Sequence, residues 1–238
     1  MTISLLTLFP EMFEGPFNHS ILKRAQEKNL LKINFVNIRD FAKDKHKTVD
    51  DRPYGGGRGM ILKVDVLDQA IQNVKCSAKG GSNIKCRERV ILLDPQGKTF
   101  SQKVARRLSK FDHLILICGH YEGVDERVRK LVDEEISIGD YILTGGEIPA
   151  IVVVDAVARL IPGVLKRKEA TRFESFTTPF LEYPQYTRPP VFGIRKVPSV
   201  LLSGDHLRIK KWQKEAASKR TLKLRPDLLK RIKLTNGH

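Results

Sequence analysis

The stretch His113-Leu-Ile-Leu-Ile-Cys118, followed at once by Gly119-His-Tyr-Glu-Gly-Val-Asp-Glu-Arg127, decides the fold class of this chain. A short run of branched aliphatic residues closed by a glycine is typical of a β-strand that is buried on both faces. Two further segments repeat the arrangement: Arg89–Leu93 is closed by Asp94-Pro-Gln-Gly97, and Glu135–Ile138 is followed by another glycine. Such strands indicate a parallel sheet, in which ligands bind beyond the carboxyl ends of the strands.

β-rich and helical patterns alternate over residues 1–163, which predicts an α/β fold with a mostly parallel sheet covered by helices on both faces. The predicted strands are Thr2–Leu8, Ile33–Val36, Arg89–Leu93, His113–Cys118 and Glu135–Ile138. The predicted helices are Val66–Val74, Ser101–Ser109, Val124–Val132 and Glu147–Ile161. A proline-interrupted segment follows, and two more helices are predicted after it, over Asp205–Lys219 and from Arg225-Pro226 onward.

The positive charge is concentrated in the last third of the chain. The 238 residues carry a net charge of +16. Residues 1–163 hold 25 Lys/Arg and 21 Asp/Glu, a net of +4, whereas residues 164–238 hold 18 and 6, a net of +12. A basic module on a nearly neutral body predicts that the body carries the chemistry and that the module binds a polyanion. We therefore predict a body over 1–163, a flexible loop over 164–178 and a small basic helical domain over 179–238.

The basic domain owes its charge largely to one helix. The predicted helix over Asp205–Lys219 has an apolar stripe of Leu207 or Ile209 with Trp212 and Ala216. Its other faces carry Arg208, Lys210, Lys211 and Lys214. Such a face favours contact with nucleic-acid phosphates.

Several standard signatures are absent from the sequence. It has no P-loop, no dinucleotide-binding glycine motif and no nucleophile elbow. The N-terminal residues do not resemble a signal peptide, and Asp155 and Arg159 interrupt the longest apolar stretch, so we expect no membrane association. The three cysteines, Cys76, Cys86 and Cys118, show no metal-ligand spacing, which predicts reduced thiols, no metal site and a cytoplasmic location.

Long motifs of this chain resemble one known family. They are Leu8–Phe13, Thr48–Gly57, Gly119–Arg127, Ser137–Glu147, Arg159–Val164, Tyr186–Pro189, Leu201–Gly204 and Arg225–Leu229. On these residues, which span nearly the whole chain, the sequence resembles the bacterial tRNA (guanine-N1)-methyltransferases of the SPOUT superfamily. The resemblance implies a SPOUT-type α/β fold with a trefoil knot toward the end of the first domain.

The resemblance also implies that S-adenosyl-L-methionine binds between the loops of the knot. Carried over by motif, the cofactor-binding residues are Leu93, Pro95, Gly119, Tyr121, Glu122, Gly123, Ile138, Gly139, Asp140, Tyr141, Ile142, Leu143, Gly145 and Gly146. Glu122 is the acidic residue expected near the methionine end. Its alternative role is that of a carboxylate favoured at a helix N-terminus.

The implied reaction is methyl transfer to N1 of the guanosine just 3′ of the tRNA anticodon, position 37. N1 of guanine carries a proton, so a base must remove it, and the charge that develops on O6 must be stabilised. The resemblance assigns O6 to Arg159, whose alternative role is an ion pair with Asp155, and the base to Glu174. The family normally has an aspartate at the position of Glu174, and Glu169 is the alternative carboxylate.

The resemblance further implies a homodimer whose active sites are composed of both chains, with residues 203–220 on the tRNA phosphates and the 164–178 loop ordering on tRNA binding. It implies a magnesium requirement, although no carboxylate cluster in the sequence specifies a magnesium site. Tyr186 or another aromatic residue is expected to stack on the target base. His120 is interpreted as tolerated variation and His46 as a solvated or RNA-facing residue.

Two other functions compete with this interpretation. A SPOUT methyltransferase that acts on ribosomal RNA would keep the cofactor loops and change the substrate. A non-enzymatic RNA-binding protein would need only the basic domain, but it has no use for three glycine-bearing loops that close around a small molecule.

Overall fold

The computed structural model describes residues 1–76, 86–166, 171 and 174–229. The chain divides into two compact units, Met1–Lys166 and Arg167–His238. The division falls within the predicted 164–178 loop. Glu169, the alternative carboxylate, lies outside the described residues.

A five-stranded sheet forms the centre of the first unit. In chain order its strands are β1 (Thr2–Thr7), β2 (Lys32–Asn37), β5 (Glu88–Thr99), β6 (His113–Cys118) and β7 (Glu134–Ser137). Their order in space is β2-β1-β6-β5-β7, and every neighbouring pair is parallel. Two short antiparallel strands, β3 (Asp50–Asp51) and β4 (Ile61–Leu62), lie outside this sheet. The prediction of a mostly parallel α/β fold is confirmed.

Helices cover both faces of the sheet. They are α1 (Ser20–Glu27), α2 (Val64–Val74), α3 (Gln102–Leu108) and α4 (Glu147–Ala158). The central strand β6 shows why its sequence is apolar throughout: Leu114, Leu116 and Cys118 pack with α1, α3 and α4, whereas Ile115 and Ile117 pack with α2. Within the described residues, no helix combines the length and the apolar character that crossing a membrane requires.

The strand β5 differs from its prediction. Asp94-Pro-Gln-Gly97 was expected to end the strand as a turn, but the strand continues to Thr99. Leu93 and Lys98 both pair with Ile136 of β7, so the four residues between them form a bulge within the strand. Pro95 cannot donate a ladder hydrogen bond, which favours this exclusion from the pairing. Gly97 has no room for a side chain, because a Cβ there would lie 2.5 Å from the Ile136 backbone nitrogen.

The predicted helix over Val124–Val132 is wrong in type and length. Only Glu126–Lys130 is helical, as a 3-10 helix. The Asp125 side chain caps it by accepting a hydrogen bond from the Arg127 backbone N–H, and Val128 is its buried residue. One buried apolar residue anchors a single tight turn, so the apolar spacing in this segment did not require an α-helix.

The second unit combines a small hairpin with helices. Strands β8 (Val191–Phe192) and β9 (Arg195–Lys196) are antiparallel, and α5 (Ser199–Leu202) and α6 (His206–Leu224) follow. Residues 226–229 are also helical. The Asp205 carboxylate caps α6 by accepting hydrogen bonds from two backbone N–H groups. Ile209 is half-buried whereas Leu207 is 81% exposed, which settles the alternative left open in the apolar stripe.

Two of the three cysteines do not follow the expectation of reduced thiols. Cys76 and Cys86 form a disulfide with their Cα atoms 6.4 Å apart. Cys76 follows α2 and Cys86 precedes β5, so the return of the chain to the sheet brings the two together. The spacing of the two cysteines in the sequence does not indicate that the chain brings them together in this way. Cys118 is a free, fully buried thiol.

The loop after β7 packs directly against the end of β6. Gly146, the residue before α4, donates a backbone hydrogen bond of 2.7 Å to the carbonyl of Gly119. A Cβ on Gly146 would lie 2.6 Å from Cys118 Cα and 2.8 Å from the Gly119 nitrogen. Both neighbours are backbone atoms of a paired strand end, so neither can move aside cheaply. The trefoil knot that the resemblance implies stays a prediction.

We expect Gly146→Ala to lower the free energy of unfolding by about 1–3 kcal/mol, because the added methyl group overlaps backbone on two sides. The matched control is Gly15→Ala, where a Cβ meets nothing within 4 Å. This variant should change stability by less than about 0.5 kcal/mol. Denaturant unfolding followed by circular dichroism measures both, and equal stabilities for the two variants would contradict the close-packing argument.

Candidate active site

One cavity of about 440 Å³ opens at the carboxyl edge of the sheet. Its walls come from three segments: the bulge of β5, the loop after β6, and the loop between β7 and α4. Leu93, Ile136, Ile138 and Leu143 contribute apolar surface, and several glycines expose their backbone. A cavity of this size, largely apolar with a few polar groups, is typical of small-molecule sites.

The structure brings together nearly all the residues predicted to bind the cofactor. Every one of them lines the cavity except Asp140. The residues that line it without having been predicted are Asp94, Gln96, His120, Ile136, Ser137, Thr144 and Pro149. Each of these lies within or beside one of the three strand-end segments. The strand-end rule therefore identified the segments, although it gave no signal for choosing residues within them.

His120, interpreted from the sequence as tolerated variation, lines the cavity. Its ring packs 5.0 Å from Phe9 and 4.7 Å from Tyr121, measured between centroids. Its Nδ1 atom is buried, and the described residues provide it with no hydrogen-bond partner. A buried polar atom without a partner is costly, and because Nδ1 has almost no exposed surface, a ligand reaches it only if neighbouring atoms move.

Glu122 lies between the cavity and the segment around Gly59, for which the sequence predicts no function. The Glu122 backbone N–H donates to the Met60 carbonyl at 3.1 Å, and the Leu62 N–H donates to the Gly123 carbonyl at 3.0 Å. The Glu122 side chain packs against Gly59. Residues 59–62 therefore contact the loop that lines the cavity.

Arg129 forms ion pairs with carboxylates of the β5 bulge, of its own 3-10 helix and of β7. Its guanidinium is 3.4 Å from Asp94 of the β5 bulge and 2.9 Å from Glu126, and it also contacts Glu135 of β7. The Arg129 side chain is only 18% exposed, so these ion pairs are shielded from solvent more than surface pairs are. The bulge of β5 is thereby tied to β7 by side chains as well as by backbone pairing.

Two titratable groups at the site are held in one protonation state. A hydrogen bond from Arg127 lowers the pKa of Asp125, so this capping carboxylate stays ionised. Burial raises the pKa of the Cys118 thiol well above its usual range, with the nearby charge of Glu147 acting in the same direction. Cys118 is therefore a neutral packing residue beneath the cavity, not a nucleophile.

Arg159 lies at the far end of α4 from the cavity. The cavity touches Gly146 and Pro149 at the start of this helix, whereas Arg159 is its C-cap residue and is half-buried. A helix of 12 residues is about 18 Å long. The residues that line the cavity within this chain accordingly do not include Arg159.

Glu174 belongs to the second unit. It is half-buried, and its backbone carbonyl accepts a hydrogen bond of 3.1 Å from the Thr177 N–H. The neighbouring Ser175 hydroxyl accepts a hydrogen bond from the Glu182 backbone at 3.0 Å. The segment that carries Glu174 is therefore a turn fixed by local hydrogen bonds.

Comparison with known proteins places the chain in one family. The family described as "tRNA (Guanine-1)-methyltransferase TrmD" matches residues 1–231. A tRNA (guanine-N(1)-)-methyltransferase of Dictyoglomus turgidum is 55% identical over 99% of this chain and 92% of its own length. Proteins of the same name from Carboxydothermus hydrogenoformans and Caldanaerobacter subterraneus are each 56% identical, over 97% and 99% of this chain and 88% and 94% of their own lengths. The chain therefore belongs to the tRNA (guanine-1)-methyltransferase family.

Proposed function

We propose that this protein transfers a methyl group from S-adenosyl-L-methionine to N1 of guanosine 37 in tRNA, the base 3′ of the anticodon. The observation that carries the proposal is the convergence of three strand-end segments on one cavity, lined by the residues that the resemblance assigns to S-adenosyl-L-methionine. The named relatives are tRNA (guanine-N(1)-)-methyltransferases over nearly the full chain, which supports the same substrate class.

The residues present fit S-adenosyl-L-methionine in shape and charge. Apolar walls and exposed backbone groups suit an adenosine, whose edge can hydrogen-bond to N–H and C=O groups without charged side chains. The cofactor's sulfonium is positive, and Asp94 and Glu122 are the carboxylates that line the cavity. When bound, the cofactor supplies the methyl group that is transferred.

The remaining chemistry concerns the guanine. Glu174 removes the N1 proton, which makes N1 nucleophilic, and Arg159 donates hydrogen bonds to O6 as negative charge develops there. The guanidinium suits this role because it stays charged and offers several donors in one plane. The cavity holds the methyl donor in place. The transfer then depends on aligning the methyl group with N1 of the guanine.

The position of Arg159 supports a composite site in a homodimer. Arg159 follows Pro149, the cavity-lining residue nearest to it on α4, by ten positions, or about 15 Å of helix, and an arginine side chain does not bridge that length. Pairing of two chains lets Arg159 of one chain complete the cavity of the other. The symmetric arrangement then builds two equivalent sites from one kind of interface.

The helix α6 supports tRNA binding by the second unit. Arg208, Lys210, Lys211 and Lys214 are exposed along it. Contacts between such side chains and phosphates release condensed counterions, which makes binding salt-dependent. Tyr186, 49% exposed and 6.4 Å from Trp212 between ring centroids, remains the aromatic residue proposed for stacking on the target base.

Among the described residues, no three carboxylate side chains lie close enough together to share a magnesium ion. Within the described residues, the only group of three metal-ligating side chains that are close enough to share an ion is Cys76, Glu88 and His113. Magnesium prefers oxygen ligands in octahedral geometry, and this group supplies sulfur and nitrogen. The magnesium requirement that the resemblance implies is therefore not assigned to residues of this chain.

The two competing functions predict different outcomes with tRNA. A methyltransferase for ribosomal RNA would bind S-adenosyl-L-methionine and leave tRNA unmethylated. A non-enzymatic RNA-binding protein would bind tRNA and have no affinity for the methyl donor.

Labelled methyl transfer to paired tRNA transcripts tests the function directly. The transcripts differ only in G or A just 3′ of the anticodon. We expect label on the G transcript alone, because adenine carries an amino group in place of O6 and offers Arg159 no acceptor. Label on neither transcript, with tRNA still bound, would favour the non-enzymatic function, and label on ribosomal RNA alone would favour the other methyltransferase.

Glu174→Gln tests the general base. We expect kcat to fall about 10²–10⁴-fold with tRNA affinity unchanged, because glutamine cannot accept the N1 proton. Glu174→Asp retains the carboxylate and should keep most of the activity. The control Glu182→Gln neutralises another carboxylate of the same unit and should leave the rate unchanged. Full activity of Glu174→Gln would remove this residue from the mechanism.

Charge reversal on α6 tests its role in tRNA binding. The double variant Lys210→Glu/Lys211→Glu should weaken tRNA binding and lower the slope of log K against log salt by about 0.7–0.9 per lost phosphate contact. Lys103→Glu/Lys110→Glu makes the same change of net charge on exposed lysines of the first unit. If both double variants alter the slope equally, general charge and not α6 governs binding.

A further inference from the structure

Sulfur, imidazole and carboxylate side chains converge at the amino edge of the sheet, at the opposite ends of the strands from the cavity. Cys76 follows α2 and Cys86 precedes β5. Glu88 is the first residue of β5, and His113 is the first residue of β6. The ligating atoms of Cys76, Glu88 and His113 all lie within 4.8 Å of one another. The disulfide brings the sulfur of Cys86 to the same place. We call these four residues the edge cluster.

The spacing within the edge cluster suits a tetrahedral metal ion. Cys76 Sγ lies 3.6 Å from His113 Nδ1. A zinc ion bound at about 2.3 Å from sulfur and about 2.0 Å from nitrogen, in tetrahedral geometry, holds those two atoms about 3.6 Å apart. Glu88 Oε2 is 2.8 Å from the same nitrogen, so a modest movement brings all three donors onto one ion. Two thiolates, an imidazole and a carboxylate form a donor set that zinc-class ions accept.

The imidazole is held in the orientation that such a site needs. His113 Nε2 is 2.9 Å from the hydroxyl of Ser4, and both residues are buried, at 5% and 2% exposure. In the disulfide form Nδ1 donates its proton to Glu88 Oε2 at 2.8 Å, and the Ser4 hydroxyl donates to Nε2. Binding of a metal ion requires the other tautomer, in which Nε2 donates to the Ser4 hydroxyl and Nδ1, facing Cys76 and Glu88, binds the ion. Glu88 is positioned in turn by the Cys76 backbone N–H, which donates to Oε2 at 2.8 Å. Fixed ligands lower the entropy lost when a metal ion binds.

We propose that the edge cluster in its reduced form binds one divalent ion of the zinc class. Reduction requires a dithiol, which delivers two electrons and two protons to the Cys76–Cys86 disulfide and itself closes to a cyclic disulfide. The ion then binds both sulfur atoms, and the two thiol protons pass to solvent. The disulfide and the metal ion use the same two sulfur atoms. They are therefore alternative cross-links between Cys76 and Cys86.

The edge cluster is independent of the proposed methyl transfer. It lies at the amino ends of β5 and β6, whereas the cavity lies at the carboxyl ends of these strands. Its test therefore uses neither tRNA nor a methyl donor.

Cobalt(II) added to the full chain is the probe. Tetrahedral cobalt bound by thiolates shows visible d–d bands and a sulfur-to-cobalt charge-transfer band. A phosphine serves as the reductant, because a dithiol would compete for the metal; the phosphine leaves as its oxide with an oxygen atom from water. We expect about one equivalent of cobalt to bind the reduced protein with these bands. The oxidised protein should show none, since its two sulfur atoms are bonded to each other.

Three variants locate the ligands. Cys76→Ser/Cys86→Ser should abolish the charge-transfer band, and Glu88→Gln should weaken cobalt affinity roughly tenfold or more. Cys118→Ala is the matched control, because it removes the remaining thiol at the far end of β6 and should retain the bands. Circular dichroism of each variant distinguishes loss of metal from loss of fold.

Several results would overturn the proposal. These are the absence of the charge-transfer band in the reduced wild-type protein, its persistence in the double cysteine variant, and unchanged cobalt affinity in Glu88→Gln. If the double variant does not fold, the reduced and oxidised wild-type proteins and Glu88→Gln still decide. Zinc should also raise the Tm of the reduced protein alone, and an equal rise in the oxidised protein would count against the edge cluster as the site.

Discussion

The close approach of Gly146 to the backbone of Cys118 and Gly119 is the constraint on which the cavity depends. Two chain segments that are far apart in sequence touch there with no side chain between them. The contact fixes where α4 begins relative to the end of β6, and thereby the position of Glu147, which accepts a 2.7 Å hydrogen bond from the Thr7 hydroxyl. Because Glu147 is buried, that bond stabilises a group that would otherwise be costly to enclose.

Ion pairs of Arg129 supplement this backbone contact. Arg129 interacts with carboxylates from the β5 bulge, its own 3-10 helix and β7. Removing one partner of such a partly enclosed ion pair is destabilising, because it leaves an uncompensated charge. Close backbone packing thus positions Gly146, and an ion pair with Arg129 positions Asp94 of the β5 bulge; both residues line the cavity.

The sequence predicted best the parts of the fold in which local pattern and burial agree. The apolar run of β6 matched its strand end for end because both faces of that strand are covered. The bulge of β5 was not predictable, since Asp94–Gly97 has turn chemistry and only pairing with β7 shows that the strand resumes. The edge cluster lacked any local signal: Cys76 and His113 are 37 positions apart and meet through the order of strands.

The bulge of β5 has a consequence for the thermodynamics of recognition. Residues on both sides of it pair with the same partner, Ile136, so the bulge is anchored at each end by the sheet itself. A loop anchored in this way loses its conformational freedom when the protein folds, not when a small molecule arrives. One wall of the cavity is therefore a rigid template, and association against it incurs little additional ordering entropy.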